Sequence, residues 1–196
     1  SGGMKQRVMI AAALAGEPSL LIADEPTTAL DVTIHAQVLD LLKDLQARLG
    51  MAMLLITHDL GIVARMAHSV GVMYAGRIVE TAPAARFFDA PAHPYSRKLF
   101  DSLPREGGRR GPLAVMRGTV PPLGHVWTGC RFAARCDHVR PTCERAEPAL
   151  YVVEPDHEVR CVPEVVDAIR VPLAGRVQDV QASCIADVHT DGGAAL

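Results

Sequence analysis

The sequence predicts an α/β fold: helices around a short parallel sheet, followed by a small, irregular, cysteine-rich extension. Three observations carry this expectation. "SLLIAD" (19–24) and "AMLLIT" (52–57) are short all-apolar runs, the pattern of strands buried on both faces of a parallel sheet. Segments with helical apolar spacing precede and separate them, which gives the alternation of an α/β unit. All five cysteines, at positions 130, 136, 143, 161 and 184, lie in the C-terminal third.

The elements follow in order. Residues 1–16 read as a helix that Ser1 caps, with Met4, Val8, Ala11, Ala12 and Ala15 on one face and Gly16 as its stop. The first strand runs into Asp24 and Glu25. Asp31 then caps a long helix with Ile34, Val38, Leu41, Leu45 and Leu49 at helical spacing, ended by Gly50. The second strand ends at His58 and Asp59, and a helix of about ten residues follows. "SVGVMYA" and "RIVET", split by Gly76, form a hairpin. After residue 90 the character changes. "APAHPYSRKLFDSLP" is a proline-flanked helix, and "REGGRRGP" (105–112) is a basic, glycine-rich linker. The expected divisions are 1–90, 91–118, 119–163 and a mobile tail over 164–196.

Composition narrows the function. The 196 residues carry a net charge of −2 and 49% apolar side chains. That balance gives no long-range attraction for nucleic acid or an acidic membrane surface. The apolar runs are far shorter than the roughly 18–20 residues that span a bilayer. No signal peptide is visible, and because the chain opens on "SGGMKQR" rather than Met, it is expected to be a C-terminal piece of a longer protein.

In an open parallel sheet, ligands sit beyond the carboxyl ends of the strands. Asp24, Glu25 and His58 all fall at such an end. One carboxylate there can hold Mg²⁺ and the other can take a proton from an attacking water. An isolated "DE" after a strand is more often a pair of solvated loop acids. "SGGMKQR" places consecutive glycine amides at a helix start, which suits phosphate oxygens, although by itself it is only a capped helix.

Together and in this order, "SGGMKQR", "LLIADEPTTALD" and "LLITHD" resemble the ATPase subunits of ABC transporters, which implies a partial P-loop NTPase fold over residues 1 to about 90. The resemblance implies roles. "SGG" (Ser1, Gly2, Gly3) is the signature motif and touches ATP held by a second ATPase subunit. Asp24 ends the Walker B strand and binds Mg²⁺, and Glu25 is the catalytic glutamate. Asp31 belongs to the D-loop that links the two subunits. His58 is the switch histidine that contacts the γ-phosphate. The loop G-x-x-x-x-G-K-[ST] occurs nowhere in the 196 residues, so this piece alone is expected to bind ATP weakly or not at all.

The cysteines 130, 136, 143 and 161 are spaced C-x5-C-x6-C-x17-C, with no C-x-x-C. Buried free thiols, disulfides and a metal centre all remain open. A stretch of about 45 residues with few aromatics lacks the means for its own core, which favours a metal staple. Four thiolates suit iron–sulfur and zinc alike. Arg131, Arg135, Arg140 and Arg145 either offset thiolate charge or form a solvated basic face. His125, His138 and His157 read as exposed side chains, and Cys184 lies outside the pattern.

"HPYSRKLFDSLP" followed by this pattern is similar to the C-terminal extension of dipeptide and oligopeptide importer ATPases. That similarity implies a [4Fe–4S] cluster on Cys130, Cys136, Cys143 and Cys161, with Zn²⁺ as the alternative. It also implies transmembrane permease partners, a peripheral place on the cytoplasmic face of the inner membrane, and peptide as the imported solute. A nickel importer, an ABC ATPase acting on nucleic acid, and a non-enzymatic metal-bearing remnant are the other readings. Net acidity argues against the nucleic-acid reading, and the intact Asp24, Glu25 and His58 argue against the remnant.

Overall fold

The computed structural model describes residues 2–28, 32–103, 116–122 and 124–173. Ser1, Asp31, the 105–112 linker and Cys184 lie outside the described residues. Two compact units are built on Ser1–Ala67 and on His68–Val180.

The first unit contains α1 (Gly2–Leu14), β1 (Leu20–Asp24), α2 (Val32–Leu49), β2 (Ala52–Ile56) and α3 (Leu60–Met66). β1 and β2 pair in parallel, with Leu20 opposite Ala52 and Asp24 opposite Ile56. Apolar residues from all three helices gather with Leu21, Met53 and Leu55 in one core centred on Val38, Leu39 and Leu42. The expectation that both strand faces are buried does not hold within the described residues. Leu20, Ile22, Leu54 and Ile56 are 44–60% exposed, because the helix side chains collect on the opposite face. Where the sequence put a stop at Gly16, the left-handed residue is Glu17, with φ of 47°. Its amide donates to the Leu14 carbonyl. α3 is seven residues long.

The second unit contains β3 (Ser69–Tyr74), β4 (Arg77–Pro83), α4 (Ala84–Asp89), α5 (Pro94–Asp101), α6 (Pro141–Arg145), β5 (Tyr151–Glu154), β6 (His157–Val159) and α7 (Pro163–Ile169). A 3₁₀ turn, Ala133–Arg135, precedes α6. The sheet order is β3-β4-β6-β5, antiparallel throughout. Ala75 and Gly76 both have positive φ, as the two-residue hairpin turn requires.

Here the organisation departs from the sequence reading. The hairpin, placed by sequence with residues 1–90, shares its sheet with the strands around the cysteines: Glu80 pairs with Val159 and Thr81 with Glu158. The tail expected to be mobile from 164 begins as α7, whose Val165, Val166 and Ile169 are buried with Val159 and Cys161. The cysteine segment solves its shortage of aromatics by borrowing them. Phe132 packs on Tyr74 at 5.1 Å and on Tyr95 at 5.4 Å, from the hairpin and α5. Phe87, Phe88 and Phe100 form a second cluster with centroids 5.2–5.5 Å apart.

Candidate functional site

β1 and β2 run in register, so their carboxyl ends lie together. Asp24 is the last residue of β1 and is exposed. Glu25 follows, and its amide donates to the Ile56 carbonyl at 2.9 Å, which extends the pairing one step past the strand. Glu25 has φ of 45°, a left-handed conformation that costs a non-glycine residue energy and is concentrated at functional sites. This turn throws the side chain across to the second strand's exit. There His58 Nδ1 lies 2.7 Å from Glu25 Oε1.

Thr28 completes the arrangement. Its hydroxyl donates to Glu25 Oε2 at 2.9 Å, and its amide closes the turn onto the Glu25 carbonyl at 3.1 Å. Sequence reasoning gave Thr28 no role. The signal was its spacing, three residues after the acid, where a hydroxyl closes a turn. His58 is held from behind. Asp59 caps α3 by accepting the Gly61 amide at 2.7 Å and the Ile62 amide at 3.3 Å, while its own amide donates to the Thr57 hydroxyl.

The electrostatics follow. The hydrogen bond from His58, then that from Thr28, holds the Glu25 carboxyl below the usual range. The same bond and the carboxylate charge raise the His58 imidazole. A carboxylate kept ionised at neutral pH and fixed by two donors at a strand end can polarise a water. Of the predicted residues, Glu25 and His58 are brought into contact and Asp24 lies at the same edge. Gly2 and Gly3 open α1, and Gly3 has a packing duty there. A Cβ on it would meet Ile34 Cγ2 at 2.6 Å.

The four cysteines are free thiols, and all four line one pocket together with His93, Pro94 and Phe132. The local fold is tight. The Cys130 amide donates to the Cys143 carbonyl at 2.6 Å. A Cβ on Gly129 would stand 2.2 Å from that same oxygen. Burial and neighbouring thiols push Cys161 up to about 12, and burial also raises Cys130 and Cys136. Among the described residues, however, no three His, Cys, Asp or Glu side chains form a group that could hold a metal ion.

The arginines expected to balance them are partly committed elsewhere. Arg131 donates to the Ala75 carbonyl, and Arg135 to the Arg117 carbonyl and the Tyr74 hydroxyl. Arg140 and Arg145 are exposed. His157 is not exposed as expected: it is fully buried, with Nε2 2.8 Å from Glu80 Oε1.

Residues 1–28 match the ABC transporter family, and residues 79–143 match the family described as "Oligopeptide/dipeptide transporter, C-terminal region". These matches place the chain in the ATP-binding class of ABC transporter proteins. Within that class, the chain belongs to the family of peptide ABC transporter ATP-binding proteins. It is 48% identical over 173 residues to the dipeptide transport ATP-binding protein of Escherichia coli, covering 88% of this chain and 53% of that protein. It is 50% identical over 161 residues to the oligopeptide transport ATP-binding protein of Bacillus subtilis, covering 82% of this chain and 49% of the relative. The chain spans about half the length of the curated relatives it matches. Among the described residues, no helix is long and apolar enough to cross a membrane.

Proposed function

We propose that the chain is the catalytic-edge portion of an ATPase that powers peptide import through an ABC transporter. The single observation that carries this is the Glu25–His58 contact at the common exit of two parallel strands. In this reading Glu25 orients and deprotonates the water that attacks the γ-phosphate of ATP. His58 holds the carboxylate and meets the phosphate, and Thr28 fixes the second carboxylate oxygen. Asp24 binds Mg²⁺, whose charge offsets that of the phosphates. Ser1, Gly2 and Gly3 face the ATP of a second ATPase subunit, and Asp31 joins the two. The permease subunits carry the solute, and the ATPase works at the cytoplasmic face of the membrane. Residues 1–90 would serve the ATPase domain, 91–118 the connection and 119–163 the extension. The relatives' names favour peptide over nickel. The test is ATP hydrolysis by the whole transporter. Glu25→Gln abolishing turnover while ATP still binds supports the reading, and a fully active variant ends it.

For the extension we propose a [4Fe–4S] cluster on Cys130, Cys136, Cys143 and Cys161. The supporting observation is that four free thiols line one pocket. A [4Fe–4S] cluster takes four thiolates, one per iron. When bound, the cluster supplies a covalent staple for the segment. Anaerobic purification with iron, sulfide and zinc analysis decides the matter. A colourless protein holding one zinc would overturn the iron–sulfur reading.

A further inference from the structure

His58 is far more open to solvent than its partner: 85% of its side chain is exposed, against 37% of that of Glu25. A side chain so open has little packing to select its rotamer. Nevertheless Nδ1 stands 2.7 Å from Glu25 Oε1. The backbone that carries the imidazole must therefore do the placing.

That backbone is anchored on both sides of His58. Upstream, β2 keeps its register with β1 as far as Ile56, opposite Asp24, and the Ile56 carbonyl accepts the Glu25 amide at 2.9 Å. Downstream, α3 is rooted in the core by Ile62 and Met66, which are 2% and 9% exposed. Asp59 is tied to that helix three times. Its Oδ1 accepts the Gly61 amide at 2.7 Å and the Ile62 amide at 3.3 Å, and its carbonyl accepts the Val63 amide at 3.2 Å. Thr57 and His58 alone lie between the two anchors. One hydrogen bond closes this gap: Thr57 Oγ1 accepts the Asp59 amide at 3.1 Å. Threonine hydroxyls set local backbone geometry through turns of this kind. His58 is the central residue of the turn, and its ring reaches Glu25. A matching device stands on the other side of the contact, where the Thr28 hydroxyl closes on Glu25 Oε2 at 2.9 Å.

We infer that Thr57 is the positioning residue of His58: its hydroxyl, by holding the Asp59 amide across the turn, presents the imidazole to Glu25. The inference rests on reading Glu25 and His58 as the pair that serves ATP. Thr57 acts through His58 and the fixed end of α3, and so connects the core of the first unit to the most exposed side chain of the pair.

The test begins with ATP turnover by the whole transporter. Thr57→Val keeps the branched shape and loses the acceptor. It should lower kcat on the order of 10–100-fold, the scale of a misplacement of about 1 Å, with the KM for ATP within about twofold. Thr57→Ser keeps the hydroxyl and should restore turnover. Selective histidine labelling of the whole ATPase subunit gives a direct reading by NMR. In Thr57→Val the His58 ring resonances should move toward their positions in Glu25→Gln, where the carboxylate is gone, and in Thr57→Ser they should stay in place. Thr57→Ala removes the hydroxyl a second way, should valine disturb the end of β2. Full turnover with unmoved resonances in both Thr57→Val and Thr57→Ala overturns the inference. A Thr57→Ser variant as impaired as Thr57→Val also overturns it, since the hydroxyl is then not the cause. Glu25→Gln separates the two readings. If it keeps full turnover while Thr57→Val moves His58, the ATPase reading fails and the positioning role stands. If it is inactive while Thr57→Val matches the wild type, the positioning role fails and the ATPase reading stands.

Discussion

Gly129→Ala is the sharpest perturbation this structure offers. A Cβ at that position would lie 2.2 Å from the Cys143 carbonyl oxygen and 2.7 Å from both the carbonyl carbon and oxygen of Glu144. All three are backbone atoms, so no rotamer change relieves the clash. Reaching an ordinary contact of 3.4 Å needs a backbone displacement of about 1.2 Å. Overpacking of this kind costs about 1–3 kcal/mol. The displacement also breaks the 2.6 Å bond from the Cys130 amide to Cys143, worth about 1 kcal/mol. The expected loss is about 2–4 kcal/mol. Trp127 is the only tryptophan in the sequence and lies two residues away, edge-to-face with His125 at 4.6 Å. Its fluorescence follows this loop directly in a urea titration. The midpoint should fall by about 1–2 M. Gly16→Ala, with nothing within 4 Å of the new carbon, should leave it unchanged or slightly higher. Equal midpoints for Gly129→Ala and the wild type would refute the steric argument.

Three further outcomes follow from the same geometry. Glu25→Gln should lower ATP turnover by roughly 10²–10⁴, measured as phosphate release by the assembled transporter; near-normal turnover would remove Glu25 from the mechanism. His58 should titrate above the usual imidazole range in an NMR pH series, because Glu25 favours its charged form. Its bond to Glu25 is then complete below the ordinary imidazole pKa and fades as pH rises through the shifted one, and Glu25→Gln should return the resonance to the ordinary range. Phe100→Ala removes the ring that joins Phe87 and Phe88 and should cost about 3–5 kcal/mol, seen as a lower melting temperature; a loss under ~1 kcal/mol would mean that the cavity collapses freely.

Much of the first unit was legible because its signals are local. Apolar runs, helical spacing and a strand-end acid pair are all readable within a dozen residues, and Asp24, Glu25 and His58 emerged from them. Thr28 did not, since a turn hydroxyl acquires meaning only once Glu25 takes its left-handed conformation. The exposed faces of Leu20, Ile22, Leu54 and Ile56 were missed for a different reason. An apolar run states what a strand prefers, while burial depends on what packs against it. The second unit defeated local reading more fully. Glu80 and His157 are 77 positions apart, and nothing in either neighbourhood announces a buried pair. β5 and β6 are only four and three residues long, too short for a period of two to stand out. The shared thiol pocket is likewise a product of distant segments folding together.

The pairing of β4 with β6 has a consequence for how the chain comes off the ribosome. About 80 residues separate Glu80 from its partner Val159. The β3–β4 ribbon is complete long before its neighbour has been synthesised, and until then one border of it is open. Native sheets avoid leaving such borders unguarded, because they recruit strands from other molecules. Closing a connection this long is also slow. The nascent hairpin therefore passes through an interval of exposure, in which delayed translation or chaperone shortage would divert it toward intermolecular association before the thiols ever assemble.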